Sequence, residues 1–180
     1  MIPDTIKINA DYYLSTHFIA SDVDSYVNYL NDKEIYKNTL RIPFPYTKSD
    51  AEWFINHVKE REKDFGQPMH WQLRNKTHEL IGGIGLFGQY GKNSHKDEIE
   101  YWIAKPFWNN GLMTKTLNIL SKFIFEHYNI VRIEATIFYY NIASQRVLEK
   151  CGFNYEGTLK KAYFKDKKYI DAKLFALIKK

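Results

Sequence analysis

The stretch 97–116, which reads DEIEYWIAKPFWNNGLMTKT, constrains the fold more than any other part of the chain. It begins as a strand, because apolar side chains alternate with others from residue 98 to residue 103. Pro106 cannot donate a ladder hydrogen bond and therefore ends the strand. A polar turn at 109–111 then leads into a helical pattern whose apolar side carries Met113, Leu117, Leu120 and Ile124. The pattern predicts a strand, a tight turn and a helix in immediate succession.

A helix that starts directly after a glycine turn presents unpaired backbone N–H groups at the positive end of its dipole. Such an arrangement binds phosphate groups. We therefore interpret the turn as a candidate phosphate site formed by the N–H groups of residues 110–114, with the Thr114 hydroxyl as a further donor. The alternative, a plain connection with a turn glycine, stays open because short glycine motifs also occur by chance.

A second strand-and-helix pair follows the first. The strand pattern covers residues 131–138, and the helix runs from Asn141 to Gly152, which suits a left-handed cap. The two pairs share a set of motif residues with a known family: Trp108, Gly111, Thr114, Asn141, Ser144, 147–150, Gly152, Phe153, Glu156 and Gly157. On these residues the whole chain resembles the GCN5-related N-acetyltransferases (GNAT), in the branch that acetylates ribosomal-protein N-termini (RimJ/RimL-like).

The order of the elements predicts the fold class. Hairpin patterns come first, strand–helix–strand patterns follow, and a last hairpin covers 155–164 and 169–178, so we expect an α+β fold with a mixed, mostly antiparallel sheet. The resemblance implies one GNAT domain over residues 1–180, with helices on both faces of the sheet. It also implies that the strands at 97–104 and 131–139 run parallel and splay apart, with the pantetheine arm of coenzyme A between them.

The size and composition of the chain indicate which kinds of ligand and compartment suit it. The chain has 180 residues, a net charge of +5 and scattered basic residues, so an anionic ligand is favoured but nucleic acid is not. Cys151 is the single cysteine, which suits a reducing compartment, and we interpret it as a small buried side chain. No signal peptide or membrane span is apparent. We predict a cytoplasmic protein with no metal site and no membrane partner, as a monomer or homodimer.

The resemblance implies that acetyl-CoA is the acyl-donor cosubstrate and that three parts of the chain hold it. The expected cofactor-binding residues are Trp102, Ile103 and Ala104 through backbone N–H groups, Asn109, Asn110, Gly111, Leu112, Met113 and Thr114 at the phosphates, and Asn141 and Ser144 near the pantetheine. Asn109 and Lys115 replace the glycine and glutamate usual in the branch. Asparagine tolerates left-handed geometry, so we expect the turn to survive, and Lys115 adds positive charge. Asn141 is alternatively a simple helix N-cap.

Acetyl transfer to an amine needs a base, because an alkylamine with a pKa near 10.4 is mostly protonated at neutral pH. We expect Glu100 to be that base, with Glu98 and Glu156 as rivals, or all three to be exposed or ion-paired. The resemblance implies that Ser144 protonates the leaving sulfur. Tyr139 and Tyr140 are rivals for that role, and a plain polar residue in the first helical turn is the alternative.

Two segments before residue 97 carry further expectations. The proline-rich loop 39–47 resembles the family segment that walls the acceptor groove, although Phe44 and Tyr46 alternatively just pack onto the core. The helix after it is expected over 51–63, with a cap at Ser49 or Asp50 and Trp53 on its buried side. The glycine run 82–85 is not followed by a helix, so it indicates a bulge or a place where another backbone comes close.

The hypothesis that joins these expectations is an acetyl-CoA-dependent N-acetyltransferase. It would move acetyl directly to a primary amine, either a protein or peptide N-terminus or a small amine, in a ternary complex. The alternative is a non-catalytic acyl-CoA-binding or regulatory module on the same fold. A basic nucleic-acid-binding domain is a third possibility that rests on the net charge alone.

Overall fold

An eight-stranded sheet forms the centre of the computed structural model, which describes residues 2–180. The strands are β1 Thr5–Lys7, β2 Tyr12–Ser15, β3 His70–Asn75, β4 Leu80–Leu86, β5 Lys96–Ile103, β6 Arg132–Phe138, β7 Asn154–Lys165 and β8 Lys168–Ile178. Their order is β1-β2-β3-β4-β5-β6-β8-β7. Every neighbouring pair is antiparallel except β5 and β6. The predicted mixed, mostly antiparallel α+β fold is confirmed.

Five α-helices cover the two faces of this sheet. They are α1 Asp22–Leu30, α2 Lys33–Asn38, α3 Lys48–Phe65, α4 Leu112–His127 and α5 Ile142–Lys150, with a short 3-10 turn at Lys105–Phe107. The apolar side predicted for α4 lies in the larger core cluster, while α1 and α3 build a smaller cluster on the opposite face. Among the described residues, every helix is too short or too polar to cross a bilayer.

Strand β5 divides the two cores, because successive side chains of a strand point to opposite faces. Ile99, Tyr101 and Ile103 contact the cluster that contains α4. Trp102 packs into the cluster of α1 and α3, where its ring lies 5.6 Å from that of Tyr26. Glu100 shares the Trp102 face, so it lies on the opposite side of the sheet from its neighbour Tyr101.

The parallel strands β5 and β6 separate after a short paired segment. The paired residues are Lys96 with Arg132, Asp97 with Ile133 and Glu98 with Glu134. Both strands continue beyond this segment, but the ladder does not. At the point of separation Glu98 Oε1 accepts a hydrogen bond from the backbone N–H of Thr136 at 3.1 Å. A carboxylate therefore replaces the ladder bond that would otherwise close the gap, and the predicted splay is confirmed.

The glycines of β4 make room for two rings that lie across the sheet. A Cβ at Gly83 would lie 2.7 Å from Trp102 Nε1 and 2.8 Å from His70 Nε2, and one at Gly85 would lie 2.6 Å from His70 Nδ1. A Cβ at Gly82 would also lie 2.8 Å from the carbonyl oxygen of Trp102, and this is the close backbone approach that the glycine run predicts. The register shift in this part of the sheet lies elsewhere, between Leu73 and Arg74 of β3.

Helix α3 differs from the expectation at its start and on its exposed side. Thr47 is the N-cap: its Oγ1 accepts from Asp50 N at 3.3 Å, and Asp50 Oδ2 accepts from Thr47 N at 2.8 Å. This capping box places the first turn earlier than a cap at Ser49 would. The buried side is Ala51, Ile55 and Val58, whereas Trp53 is 66% exposed.

We expect Gly83→Ala to lower the free energy of unfolding by about 1–3 kcal/mol, because the added methyl group overpacks a wall of rigid rings. Gly157→Ala is the matched control, since a Cβ there meets no atom within 4 Å. Chemical denaturation of both variants checks this. Equal stability of the two variants would contradict the close approach.

Candidate functional site

A cavity of about 670 Å³ lies on the α1 and α3 face of the sheet and reaches the opening between β5 and β6. Its wall combines the loop segment 38–43, side chains of α3, and residues of β5 and β6. Asn141 and Ser144 at the start of α5 also line it, together with Tyr101. The separation of the strands therefore brings residues from both faces of the sheet to one space. The loop 39–47 contributes to this wall, and its Tyr46 also packs into the core as the alternative expectation had it, whereas Phe44 is exposed.

Glu100 lies on the wall of this cavity, and its carboxylate has no hydrogen-bond partner among the residues that the structure describes. Burial raises the pKa of Glu100 from 4.5 to about 6, although the guanidinium groups of Arg61 and Arg41 act in the opposite direction. Glu98 and Asp97 add smaller upward contributions. A carboxylate with this pKa is ionised at neutral pH and is a stronger base than an exposed glutamate.

The other two candidate carboxylates are engaged elsewhere. Glu98 accepts from the Thr136 N–H with one oxygen and from Gln89 Nε2 at 2.7 Å with the other. Glu156 does not line the cavity and forms a two-bond ion pair with Arg132, which lowers the pKa of Glu156. The expectation that Glu156 is catalytic is therefore corrected, because its carboxylate is paired outside the cavity.

Ser144 meets a partner that the sequence did not indicate. Its Oγ lies 2.6 Å from the hydroxyl of Tyr101, and either atom can be the donor. Burial raises the pKa of Tyr101 well above 10, so the phenol stays protonated and can supply a proton to Ser144. The rivals lie off the cavity: Tyr139 is exposed, and Tyr140 donates to the carbonyl of Lys37 at 2.9 Å.

Asn141 acts as the N-cap of α5, since its Oδ1 accepts from Ser144 N at 3.1 Å. The cap role is confirmed. The bond uses only the side-chain oxygen, so the Nδ2 group remains a donor at the edge of the cavity. Asn141 can cap the helix and contact a ligand amide at the same time.

The turn before α4 has the left-handed geometry expected of it. Asn109 has φ 62° and Gly111 has φ 75°. Asn110 Oδ1 accepts from Leu112 N at 3.0 Å, so that N–H is already used. The remaining N–H groups of the first turn are those of Met113 and Thr114. A Cβ at Gly111 would meet no atom within 4 Å, so the approach to these donors is open, and the turn fits a phosphate group.

Two of the three backbone N–H groups expected to face a ligand on β5 point to β4 instead. Ala104 N donates to the carbonyl of Ile81 at 2.8 Å. In an antiparallel ladder, residue pairs that share hydrogen bonds alternate with pairs that do not. Trp102 lies two residues before Ala104 and opposite Gly83, so its N–H also points to β4. Ile103 directs its N–H away from β4, towards the opening. The prediction is wrong for the Ala104 and Trp102 amides, and Trp102 instead contributes its ring to the cavity wall.

Two other reactive side chains near the site are neutral. Cys151 is buried, its Sγ donates to the carbonyl of Thr114 at 3.2 Å, and burial raises its pKa to about 11. His70 lines the cavity, and burial lowers its pKa to about 3. The interpretation of Cys151 as a small buried side chain is confirmed.

Comparison with known proteins identifies the fold and the family. The structure is similar to the microcin C7 self-immunity acetyltransferase MccE in complex with acetyl-CoA and AMP, with a TM-score of 0.82 and 20% identity over 98% of this chain and 97% of that one. The ribosomal-protein-S5-alanine acetyltransferase from Vibrio fischeri gives a TM-score of 0.81 at 20% identity, over 97% and 96% of the two chains. Both likenesses concern the fold.

In sequence, the chain is 32% identical over 112 residues to the uncharacterized N-acetyltransferase YoaA of Bacillus subtilis. The match covers 62% of this chain and spans 63%, less than two thirds, of that relative. Residues 15–154 match the family described as "Acetyltransferase (GNAT) domain". Since this match covers most of the chain, the protein belongs to the GNAT acetyltransferase family.

Proposed function

We propose that the protein is an N-acetyltransferase that uses acetyl-CoA and transfers the acetyl group directly to a primary amine in a ternary complex. The observation that carries the proposal is the cavity at the separated strands, which has Glu100 on one side and the Ser144–Tyr101 pair on the other. Family membership supports the reaction type. The solved complex of MccE with acetyl-CoA supports the choice of donor.

Residues after β5 would hold the donor. The N–H groups of Met113 and Thr114 fit the diphosphate, and Lys115 adds positive charge beside them. Asn141 Nδ2 and the N–H of Ile103 face the opening between the strands, where they can bond the pantetheine and the thioester oxygen.

The reaction needs one proton acceptor and one proton donor. Glu100 accepts a proton from the ammonium group, directly or through a water molecule, and the amine nitrogen then attacks the thioester carbon. The C–N bond forms, the C–S bond breaks, and the electron pair stays on sulfur. The Ser144 hydroxyl donates a proton to that sulfur and regains one from Tyr101. The nitrogen releases its second proton as the amide forms, and this proton returns to Tyr101 through solvent, so that no phenolate remains. A thiol with a pKa near that of cysteine, about 8.5, leaves readily, so this second transfer contributes less than the first.

Release of free thiol from acetyl-CoA, measured with a panel of amines, amino acids and peptide N-termini, tests the proposal. Thiol release that depends on the amine is the expected result. Binding of coenzyme A without turnover would favour the acyl-CoA-binding module instead, and absence of both would remove the proposal. The cytoplasmic location and the monomeric or dimeric state stay predictions from the sequence.

We expect Glu100→Gln to lower kcat/KM for the amine by about 100-fold or more, because it removes the proton acceptor. In the unmodified protein, activity should fall as the pH drops through about 6, where Glu100 becomes protonated. The variant should lose this inflection. A pH–rate profile of both proteins provides the measurement, and an unchanged inflection near pH 6 in Glu100→Gln would assign it to another group.

We expect Gly111→Ala to raise the KM for acetyl-CoA severalfold, because its methyl group lies on the open side of the phosphate turn. Gly91→Ala is the matched control: Gly91 has φ 85°, and a Cβ there also meets no atom within 4 Å. Both substitutions carry the cost of a left-handed alanine, about 1 kcal/mol. Steady-state kinetics separate weaker acetyl-CoA binding from the general cost of a left-handed alanine. Equal KM values for acetyl-CoA in both variants would refute the phosphate site.

We expect Ser144→Ala and Tyr101→Phe each to lower kcat by roughly threefold to tenfold, with little change in affinity for acetyl-CoA, because each interrupts the same proton path. The double variant should lose little more than either single one, since coupled residues are not additive. A kcat equal to that of the unmodified protein in Ser144→Ala would exclude the acid role.

A further inference from the structure

Two arginine side chains converge on one residue of the cavity wall. The Cζ of Arg41 lies 4.3 Å from the centroid of the Phe87 ring. Arg61 Nη1 donates to the carbonyl of Phe87 at 3.2 Å. Arg41 comes from the loop before α3 and Arg61 from α3 itself, and both line the cavity. Arg41 is exposed and Arg61 is half-buried, and both present positive charge to the same cavity.

Neither guanidinium group is neutralised by the protein. Within residues 2–180, no carboxylate oxygen lies within 4.0 Å of Arg41 or Arg61. Arg61 Nε and Nη2 are buried and have no acceptor there. The nearby acids Glu62 and Asp97 accept from backbone N–H groups instead. Buried charged donors without an acceptor are unfavourable, so a ligand anion would stabilise this part of the cavity.

The same cavity contains one carboxylate that is free for a ligand. Three of the lining residues are acidic, and two of them are occupied: Asp50 in the cap of α3, and Glu98 with Thr136 and Gln89. Glu100 is the third, and it lines the same cavity as Arg41 and Arg61, whose charges lower its pKa against the effect of burial. The wall thus offers one negative group beside two positive groups.

We propose that the acceptor is a free α-amino acid, with its ammonium group at Glu100 and its carboxylate bound by Arg41 and Arg61. This inference rests on the proposed function and selects one substrate class within it. A peptide N-terminus has no carboxylate next to its amine and would leave both guanidinium groups unpaired. Trp53 and Phe54 line the same cavity and offer apolar surface to the side chain, so an apolar amino acid fits best.

Thiol release with L-leucine and with L-leucinamide tests the inference. The amide keeps the amine and the side chain but lacks the negative charge, as a peptide N-terminus does. Its amine is less basic, so more of it is neutral, and amine basicity alone would favour the amide. We expect kcat/KM to be at least tenfold higher for L-leucine. Equal or better activity with L-leucinamide would overturn the inference, as would a clear preference for O-phosphoethanolamine over L-leucine.

Arg41→Met and Arg61→Met test the subsite itself. We expect each to lower the leucine-to-leucinamide activity ratio at least tenfold, whereas Arg61→Lys should retain part of it because it keeps the charge. Arg146→Met is the matched control, since Arg146 is exposed and does not line the cavity. Assays at about pH 8 keep Glu100 ionised even when a neighbouring charge is lost. An equal loss with both acceptors would show a structural effect and refute the subsite.

A binding measurement separates failure of the subsite from failure of the proposed function. Calorimetry of N-acetyl-L-leucine and N-acetyl-L-leucinamide with the unmodified protein requires no turnover. Binding that needs the carboxylate and is lost in Arg41→Met supports the subsite even if no amine is acetylated. Turnover with leucinamide but not leucine would overturn the subsite and leave the acetyltransferase proposal standing. If neither compound binds and no amine reacts, both proposals fail.

Discussion

The separation of two parallel strands is the constraint on which the site depends. Strands β5 and β6 pair through three residues each and then part, although both continue. The hydrogen bond from the Thr136 N–H to Glu98 satisfies a buried donor at the point of separation. Without such a partner, the gap would leave unpaired backbone groups, which proteins rarely tolerate. The opening is thus a stable part of the sheet and not a defect in it.

Strand β5 supplies both the proposed base and the proposed source of a proton, because its successive side chains point to opposite faces of the sheet. Glu100 points into the cavity beneath α1 and α3, and Tyr101, the next residue, points towards α5 and Ser144. In a continuous sheet these two groups would be isolated from each other. The opening beside β5 removes that barrier. The proposed base and the proposed proton donor therefore reach one space from adjacent positions of the chain.

The elements of the fold were predicted well, because strands, turns and helices depend on local residue patterns. The β5–turn–α4 unit and the cap at Asn141 follow from alternation, helical period and capping residues. The cavity forms through contacts between segments that are distant in the sequence, and no local residue pattern indicates such contacts. Nothing in the sequence joins Tyr101 to Ser144, which form a hydrogen bond in the structure, or Arg41 to Arg61, which both contact Phe87.

Two expectations failed for the same reason, namely that the partner of a group was unknown. The sequence predicts Glu156 as a candidate base, whereas in the structure its carboxylate is paired with Arg132. The sequence likewise predicts a free N–H at Ala104, whereas in the structure that group donates to the carbonyl of Ile81 beside β5. A polar group can bind a ligand only if no other residue already occupies it, and the spacing of residues in the sequence does not show which groups are occupied.

In the sequence, the two arginines and the turn before α4 lie on opposite sides of β5. Arg41 and Arg61 precede β5, whereas Gly111, Asn141 and Ser144 follow it. Glu100 lies between these two groups of residues. In the proposed arrangement, mutations in the loop and helix before residue 66 would change which amine is accepted, while the residues assigned to the thioester stay unchanged.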